Sequence, residues 1–305
     1  VSAVHLDRMK LLTRISSALH LVGICRDANF TKRPVAVVGC AEGRSASIAT
    51  DAHRKLSSIL RFTVCTAACG LLYSVASFSV HASDAQQLSY EGSTFDVYRL
   101  DADEVPKLRF YWKDENGEPY KTIGRLRLSL DEQGKKLLFA TNGGIYSKEY
   151  TPLGLYVEQG KKLGSLNMGQ GSGNFSMKPN AVFYMDNSGA HIENSVKLSV
   201  AIEKMQNAVQ SGPALLLDGM MHPRFFKESD SYNIRNGVGI DSKGGVVFAI
   251  SNTPVNFYTF AALFRDKLDC DNALYLDGSI SEMYLPALER TFTFRFFTTI
   301  FGVAE

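Results

Sequence analysis

From Leu88 onward, apolar residues follow two patterns: alternation with polar ones, or short continuous runs closed by Gly, Pro, Asn or Asp. Half-buried and fully buried β-strands are written this way. "STFDVYRLD", "KKLLFATNGGIY", "LGLYVEQGKKL" and "AVFYMDNSG" read as strands, and "KLRFYWKDENGEPYKTIGRLRLSLD" reads as a strand pair joined by a Gly/Pro turn. "NAVQSGPALLLDG" reads as two strand pieces around Ser211-Gly212-Pro213, and "NGVGIDSKGGVVFAIS" as a hairpin turning at Asp241–Gly245. "RTFTFRFFTTIFGV" reads as an alternating or fully buried strand. A helical period is clear only in "NFYTFAALFRDKL", where Phe257, Phe260, Ala261, Phe264 and Leu268 share one face behind an N-cap at Asn256. Between 195 and 210 the alternation of Val196, Leu198, Val200 and Ile202 suits a strand, while the composition also suits a helix. The pattern predicts an α+β fold of mixed β-sheets with few flanking helices.

Charge divides the chain. Residues 1–82 hold ten Lys/Arg against four Asp/Glu, whereas 83–305 hold twenty-three against twenty-seven. The larger segment is therefore net acidic and lacks the basic face that nucleic acid requires. In the smaller one, Arg54, Lys55 and Arg61 precede the apolar run "FTVCTAACGLLYSVASFSV", and "VHA" at 80–82 fits a small-x-Ala cleavage site. Residues 54–82 thus read as a signal peptide or signal anchor, and 83–305 as an exported, periplasmic or extracytoplasmic domain. Contact with a membrane is expected only through an uncleaved anchor. Residues 1–53 read as an N-terminal extension or as codons upstream of the true start. Four of the five cysteines precede residue 83, so Cys270 is left without a disulfide partner in the exported domain.

Four apolar strands end in small and polar residues: "TNGG", "QSGP", "IRNGVG" and "LDGSISE". The last places Asp277, Ser279, Ser281 and Glu282 within six residues. Asp277-Gly278 is also the signature of a two-residue hairpin turn, so a β-hairpin and a ligand site compete for this stretch. Four such breaks together suit a shared site, because glycine lets backbone N–H groups approach a ligand and oriented amides favour anionic oxygens. Arg235 adds a guanidinium whose fork geometry matches phosphate. His222 is a candidate acid/base or phosphate contact, or simply a turn histidine. "GQGSG" at 169–173 lacks the strand-then-helix context of a nucleotide loop. The sequence contains no GxSxG, no HExxH and no paired-cysteine motif, and nothing in it calls for a metal or cofactor.

Five segments, "NGGIY" at 142–146, "KPNAVFY" at 178–184, "AVQSGPALLLDG" at 208–219, "RNGVGID" at 235–241 and "ALYLDGSIS" at 273–281, together resemble the phosphodiester glycosidase family in order and spacing. Many members carry Asp-Gly-Gly-x-Ser where this chain has Asp277-Gly278-Ser279-Ile280-Ser281. The resemblance implies an exported hydrolase that cleaves a sugar, N-acetylglucosamine among the candidates, from a phosphodiester-linked saccharide. It implies a catalytic carboxylate at Asp277 with Glu282 in reserve. Phosphate and sugar would be held by Asn142, Gly143, Gly144, Ser211, Gly212, His222, Arg235, Asn236, Gly278, Ser279 and Ser281. A non-catalytic binder of envelope phosphosaccharides and a hydrolase of another glycosidic linkage are the alternatives, since a fold does not fix chemistry.

Overall fold

The computed structural model describes residues 84–277 and 280–305. The expected N-terminal extension, signal segment and cleavage site, together with Gly278 and Ser279, lie outside the described residues. Among the described residues the fold has three sheets and two α-helices, in agreement with the α+β expectation. Every pairing between the described strands is antiparallel, so the sheets are not mixed in direction.

The largest sheet contains β1 (Asp84–Tyr90), β2 (Ser93–Leu100), β10 (Ala214–Leu217), β11 (Met220–Met221), β12 (Asn236–Asp241), β13 (Val246–Ser251) and β14 (Cys270–Tyr275), in the order β1-β2-β13-β12-β14-β10-β11. The predicted β12–β13 hairpin is present, and its turn is closed by the Asp241 carboxylate accepting from the N–H groups of Lys243 and Gly245. A four-stranded sheet contains β3 (Arg109–Tyr111), β4 (Leu137–Asn142), β15 (Met283–Tyr284) and β16 (Ile300–Ala304), with β16 between β4 and β3. The third sheet contains β5 (Tyr156–Glu158), β6 (Lys161–Gly164), β7 (Ala181–Asp186), β8 (Gly189–Asn194) and β9 (Asn207–Ser211).

All three sheets contribute to one aromatic core. Tyr98 of the large sheet stacks on Phe139 of the four-stranded sheet at 4.1 Å between ring centroids, and Phe301 packs on Phe110 at 4.4 Å. Phe183 of the third sheet meets Phe110, Phe301 and Phe248 edge-on or tilted. The outer face of the large sheet is covered by helix α2 (Phe257–Asp266), whose N-cap Asn256 accepts from Thr259 N as predicted. Close approach of this helix needs glycine on β12: a Cβ at Gly239 would lie 2.7 Å from both the Phe264 ring and the Cys270 sulfur.

Three expectations are corrected. The second half of the predicted 107–131 strand pair is helix α1 (Ile123–Glu132), capped by Thr122 Oγ1 accepting from Arg125 N. Its alternation of Leu with Arg and Ser imitates a strand, yet Ile123, Leu126 and Leu130 form the buried face and Leu128 is 58% exposed. Residues 195–206 form two 3₁₀ turns and no strand or α-helix, because a capping Asn194 and an extended Leu198 break both periods. The predicted terminal strand begins only at Ile300; before it, Phe292, Phe294 and Phe296 face outward. Among the described residues, no helix is long and apolar enough to cross a membrane.

Candidate active site

Strands β14 and β15, on either side of Asp277–Glu282, do not pair as a hairpin. After β14 the chain leaves the large sheet, and the next strand, β15, pairs with β4 in a different sheet. This crossover is held by Asn142, the fully buried last residue of β4. Its Nδ2 donates to the Asp277 carbonyl at 3.0 Å, and its Oδ1 accepts from Glu282 N at 2.8 Å. One amide thus grips both Asp277 and Glu282. Asn236, the first residue of β12, donates from Nδ2 to Asn142 Oδ1 (2.9 Å) and accepts from Ser281 Oγ (3.1 Å). Thr141 Oγ1 donates to the Glu282 carbonyl, and Asp277 N to the Gly143 carbonyl. Such a buried network is rigid when its members are paired, as these are.

Glu282 is only 5% exposed. Its Oε2 accepts from the backbone N–H groups of Phe294 (2.8 Å) and Arg295 (2.9 Å). Its Oε1 is buried with no hydrogen-bond partner among the described residues. Burial pushes the carboxyl pKa up, against the opposing pull of those two N–H groups and of the charges on Arg295 and Arg290. Glu282 lines a cleft of about 430 Å³ with Ser281, Arg290, Phe292, Phe294 and Arg295. Arg290 is fixed by Asp96 and Asn252, whereas no carboxylate lies within ion-pair distance of Arg295 among the described residues.

Asp277, the other residue that Asn142 binds, is half-buried. Beside it is Tyr146, whose phenol is pushed up to about 12 by burial first and then by the Asp277 charge. Tyr146 is therefore a neutral donor at physiological pH, and its hydroxyl donates to the Phe296 carbonyl at 2.9 Å.

Gly143 and Gly144 continue from Asn142 into contact with the third sheet. A Cβ on Gly143 would meet the Thr299 side chain, and one on Gly144 would lie 2.7 Å from Val209 and 3.6 Å from Ser211 Cβ. Gly212 approaches Asn180 in the same way. Around these glycines, Ser211 Oγ, Asn180 Oδ1 and Thr299 Oγ1 are buried without hydrogen-bond partners among the described residues. Lys178 Nζ, two positions before Asn180, shares that condition. An unpaired buried polar atom costs about 1–3 kcal/mol, so this much unused hydrogen-bonding capacity at one junction suits a polar ligand better than a packed core.

Arg235 and His222, expected in the same site, lie elsewhere. Side chains alternate across a strand, so Arg235 points away from Asn236 toward helix α2. It is 1% exposed, donates to the carbonyls of Val255 (2.8 Å) and Ser231 (2.7 Å), and lies 3.5 Å over the Phe257 ring. Burial lowers its pKa. His222 is buried against Phe225 on that same side, its Nδ1 accepting from Arg224 N. Burial also lowers its pKa, which keeps the ring neutral. It lines a separate cavity of about 460 Å³ with Pro179, Met221 and Asn272. The fold therefore brings together Asn142, Gly143, Gly144, Ser211, Gly212, Asn236, Asp277, Ser281 and Glu282, and sets Arg235 and His222 apart.

The family model for phosphodiester glycosidase matches residues 135–297, more than half of the chain and all of the converging strand ends. The chain belongs to the phosphodiester glycosidase family. It is 40% identical over 210 residues to the uncharacterized protein YigE of Escherichia coli (strain K12), covering 68% of this chain and 80% of that one. It also resembles the solved catalytic domain of zebrafish N-acetylglucosamine-1-phosphodiester alpha-N-acetylglucosaminidase, auto-inhibited by its pro-peptide, with a TM-score of 0.52 and 15% identity over 73% of this chain and 82% of that one. At that identity the likeness establishes the fold.

In this phosphodiester glycosidase domain several residues escaped the reading by strand breaks. Thr299, Arg290 and Arg295 lie in the segment 290–303, whose pattern reads as a plain terminal strand and carries no signal of a site. Asn180 and Lys178 stand in the quoted "KPNAVFY", where Pro179 next to two polar residues was the available clue. Among the described residues no group of three or more His, Cys, Asp or Glu is placed to hold a metal.

Proposed function

We propose that this protein is an exported hydrolase that cleaves the bond between a sugar's anomeric carbon and the phosphate of a phosphodiester-linked glycoconjugate, N-acetylglucosamine being a candidate sugar. The observation that carries this reading is the Asn142 amide. It binds both Asp277 and Glu282, two carboxylate-bearing residues, in the segment that the family model covers. A phosphate monoester is a stable leaving anion, so the reaction depends less on protonating the leaving oxygen than alkyl glycoside hydrolysis does. It needs a negative charge facing the oxocarbenium-like carbon and donors for the phosphate. In this reading Asp277 supplies the charge, beside the neutral Tyr146. Glu282, whose raised pKa favours the protonated form, is the secondary carboxyl. Ser211 and the amide of Gly144 serve the phosphate and the sugar hydroxyls, the Gly143 N–H being taken by the Thr299 carbonyl.

The test is to screen the purified full-length protein against a panel of sugar-1-phosphodiesters and measure released sugar. Turnover of at least one substrate, abolished in Asp277→Asn with binding retained, is the expected result. Binding without release across the panel would sink the hydrolase reading in favour of a phosphosaccharide-binding domain.

A further inference from the structure

Phe292, Phe294 and Phe296 are 81%, 59% and 55% exposed, at alternate positions of one short segment. Three adjacent phenylalanines in water forgo a large hydrophobic gain, and an apolar patch of this kind marks a contact surface. Its position is specific. Phe292 and Phe294 line the cleft that holds Glu282, and the backbone between Phe294 and Arg295 donates both hydrogen bonds to Glu282 Oε2. At the other end, the Phe296 carbonyl accepts from Tyr146, the neighbour of Asp277. The phenylalanines thus run along the segment that touches the surroundings of both carboxylates.

Two further observations select the occupant. The Arg295 guanidinium lies 5.4 Å from the Phe294 ring, without an ion-pair partner among the described residues, so a cation sits directly beside the apolar surface. The Phe292 and Phe294 rings are inclined at 45° with centroids 5.3 Å apart, which makes a ridged surface rather than a flat platform for a sugar ring. Phenylalanine also lacks the polar handle of Tyr or Trp for a sugar hydroxyl. A cation next to a ridged hydrocarbon surface complements an anionic head carrying an aliphatic chain. Resting on the reading of the site as a phosphodiester glycosidase, we infer that the substrate is amphiphilic: its phosphate faces Arg295, and an alkyl or prenyl chain on the phosphate lies along Phe292, Phe294 and Phe296.

The test uses the full-length protein and monoalkyl phosphates of two, six and ten carbons, each below its micellar concentration, with binding measured by calorimetry. Affinity should rise with chain length by about tenfold or more from the shortest to the longest, since each buried methylene adds to binding. The double variant Phe292→Ser/Phe294→Ser should lose most of that rise while its melting temperature stays near wild type, both rings being exposed. Arg295→Gln should weaken all three phosphates by a similar factor. Equal affinity for all chain lengths, or an unchanged rise in the double variant, overturns the inference. So does a wild-type dimer that the double variant turns to monomer without any chain-length effect, which would give the surface to a second copy. The two readings fail separately. Sugar release that is insensitive to chain length removes the apolar seat and leaves the glycosidase. Chain-length-dependent binding without release from any phosphodiester does the reverse.

Discussion

At the scale of single residues, the two carboxyl groups have different surroundings and should respond differently to change. Asp277→Asn preserves shape and the backbone bonds through Asn142 but removes the charge proposed to face the anomeric carbon. Loss should appear in kcat, on the order of a hundredfold or more, with a normal thermal melt; near-normal kcat in the folded variant would remove Asp277 from its role. Glu282 has a raised folded-state pKa, so the folded chain binds more protons than the unfolded one between the ordinary carboxylate value and the raised value. Stability therefore falls as pH rises through that window. Glu282→Gln, which cannot ionise, should remove this fall, so that its melting temperature relative to wild type improves from acidic to neutral pH. Parallel melting curves for the two proteins across that range would contradict the assignment. His222 behaves in the opposite sense. Its pKa is depressed, so it costs stability as pH falls below the ordinary histidine value toward its folded one, and His222→Asn, which offers an acceptor to Arg224 N, should lessen that acid sensitivity.

At the scale of elements, the strand ends act as one piece through Asn142. Asn142→Ala would leave Glu282 N without its acceptor and remove one donor from the Asp277 carbonyl, while Asn236 Nδ2 keeps Thr141 Oγ1, and should cost about 1–3 kcal/mol by denaturant unfolding, the range for a buried group left unpaired. Local signals were readable in the sequence where the structure itself is local. The β12–β13 hairpin follows from alternation and the turn at Asp241–Gly245, and α2 from its apolar stripe and the Asn256 cap. Alternation misled at α1, where Leu126, Leu128 and Leu130 imitate a strand although only two of them are buried, and at 291–299, where the phenylalanines of the pattern face solvent. Pairing partners were not legible at all. Nothing near Asp277 announces that the next strand joins β4, because that choice is made by contacts about 140 positions away in the chain. The strand breaks picked out residues that the fold brings together where their side chains face inward, and Arg235 lies apart from them because a one-residue step reverses the face.

At the scale of the whole molecule, the site lies where three sheets meet over a common aromatic core, so binding there should brace all three. A saturating substrate analogue should raise the melting temperature as a single transition, with the gain following its concentration over its dissociation constant; stabilisation of only one of two resolved transitions would argue that the sheets unfold separately. Export stands as a proposal at this scale. Mass spectrometry of the native protein should find its N-terminus near Ser83, and intact residues 1–60 on an exported form would support an anchor instead.

The position of β16 sets a condition on the order of events during synthesis. It is the latest of the described strands in the chain, yet it lies inside its sheet, between β4 and β3, and supplies Phe301 to the shared core. A ribosome that has released everything through residue 290 has made every other strand of that sheet, but β4 still has no inner neighbour. Asn142, at the tip of β4, cannot then be held in register. The network around Asn142 must therefore assemble after translation of β16, in one late and largely non-local step, and folding of this kind is slow. For a chain exported as proposed, that delay would keep the Asn142 network unmade until β16 has left the ribosome.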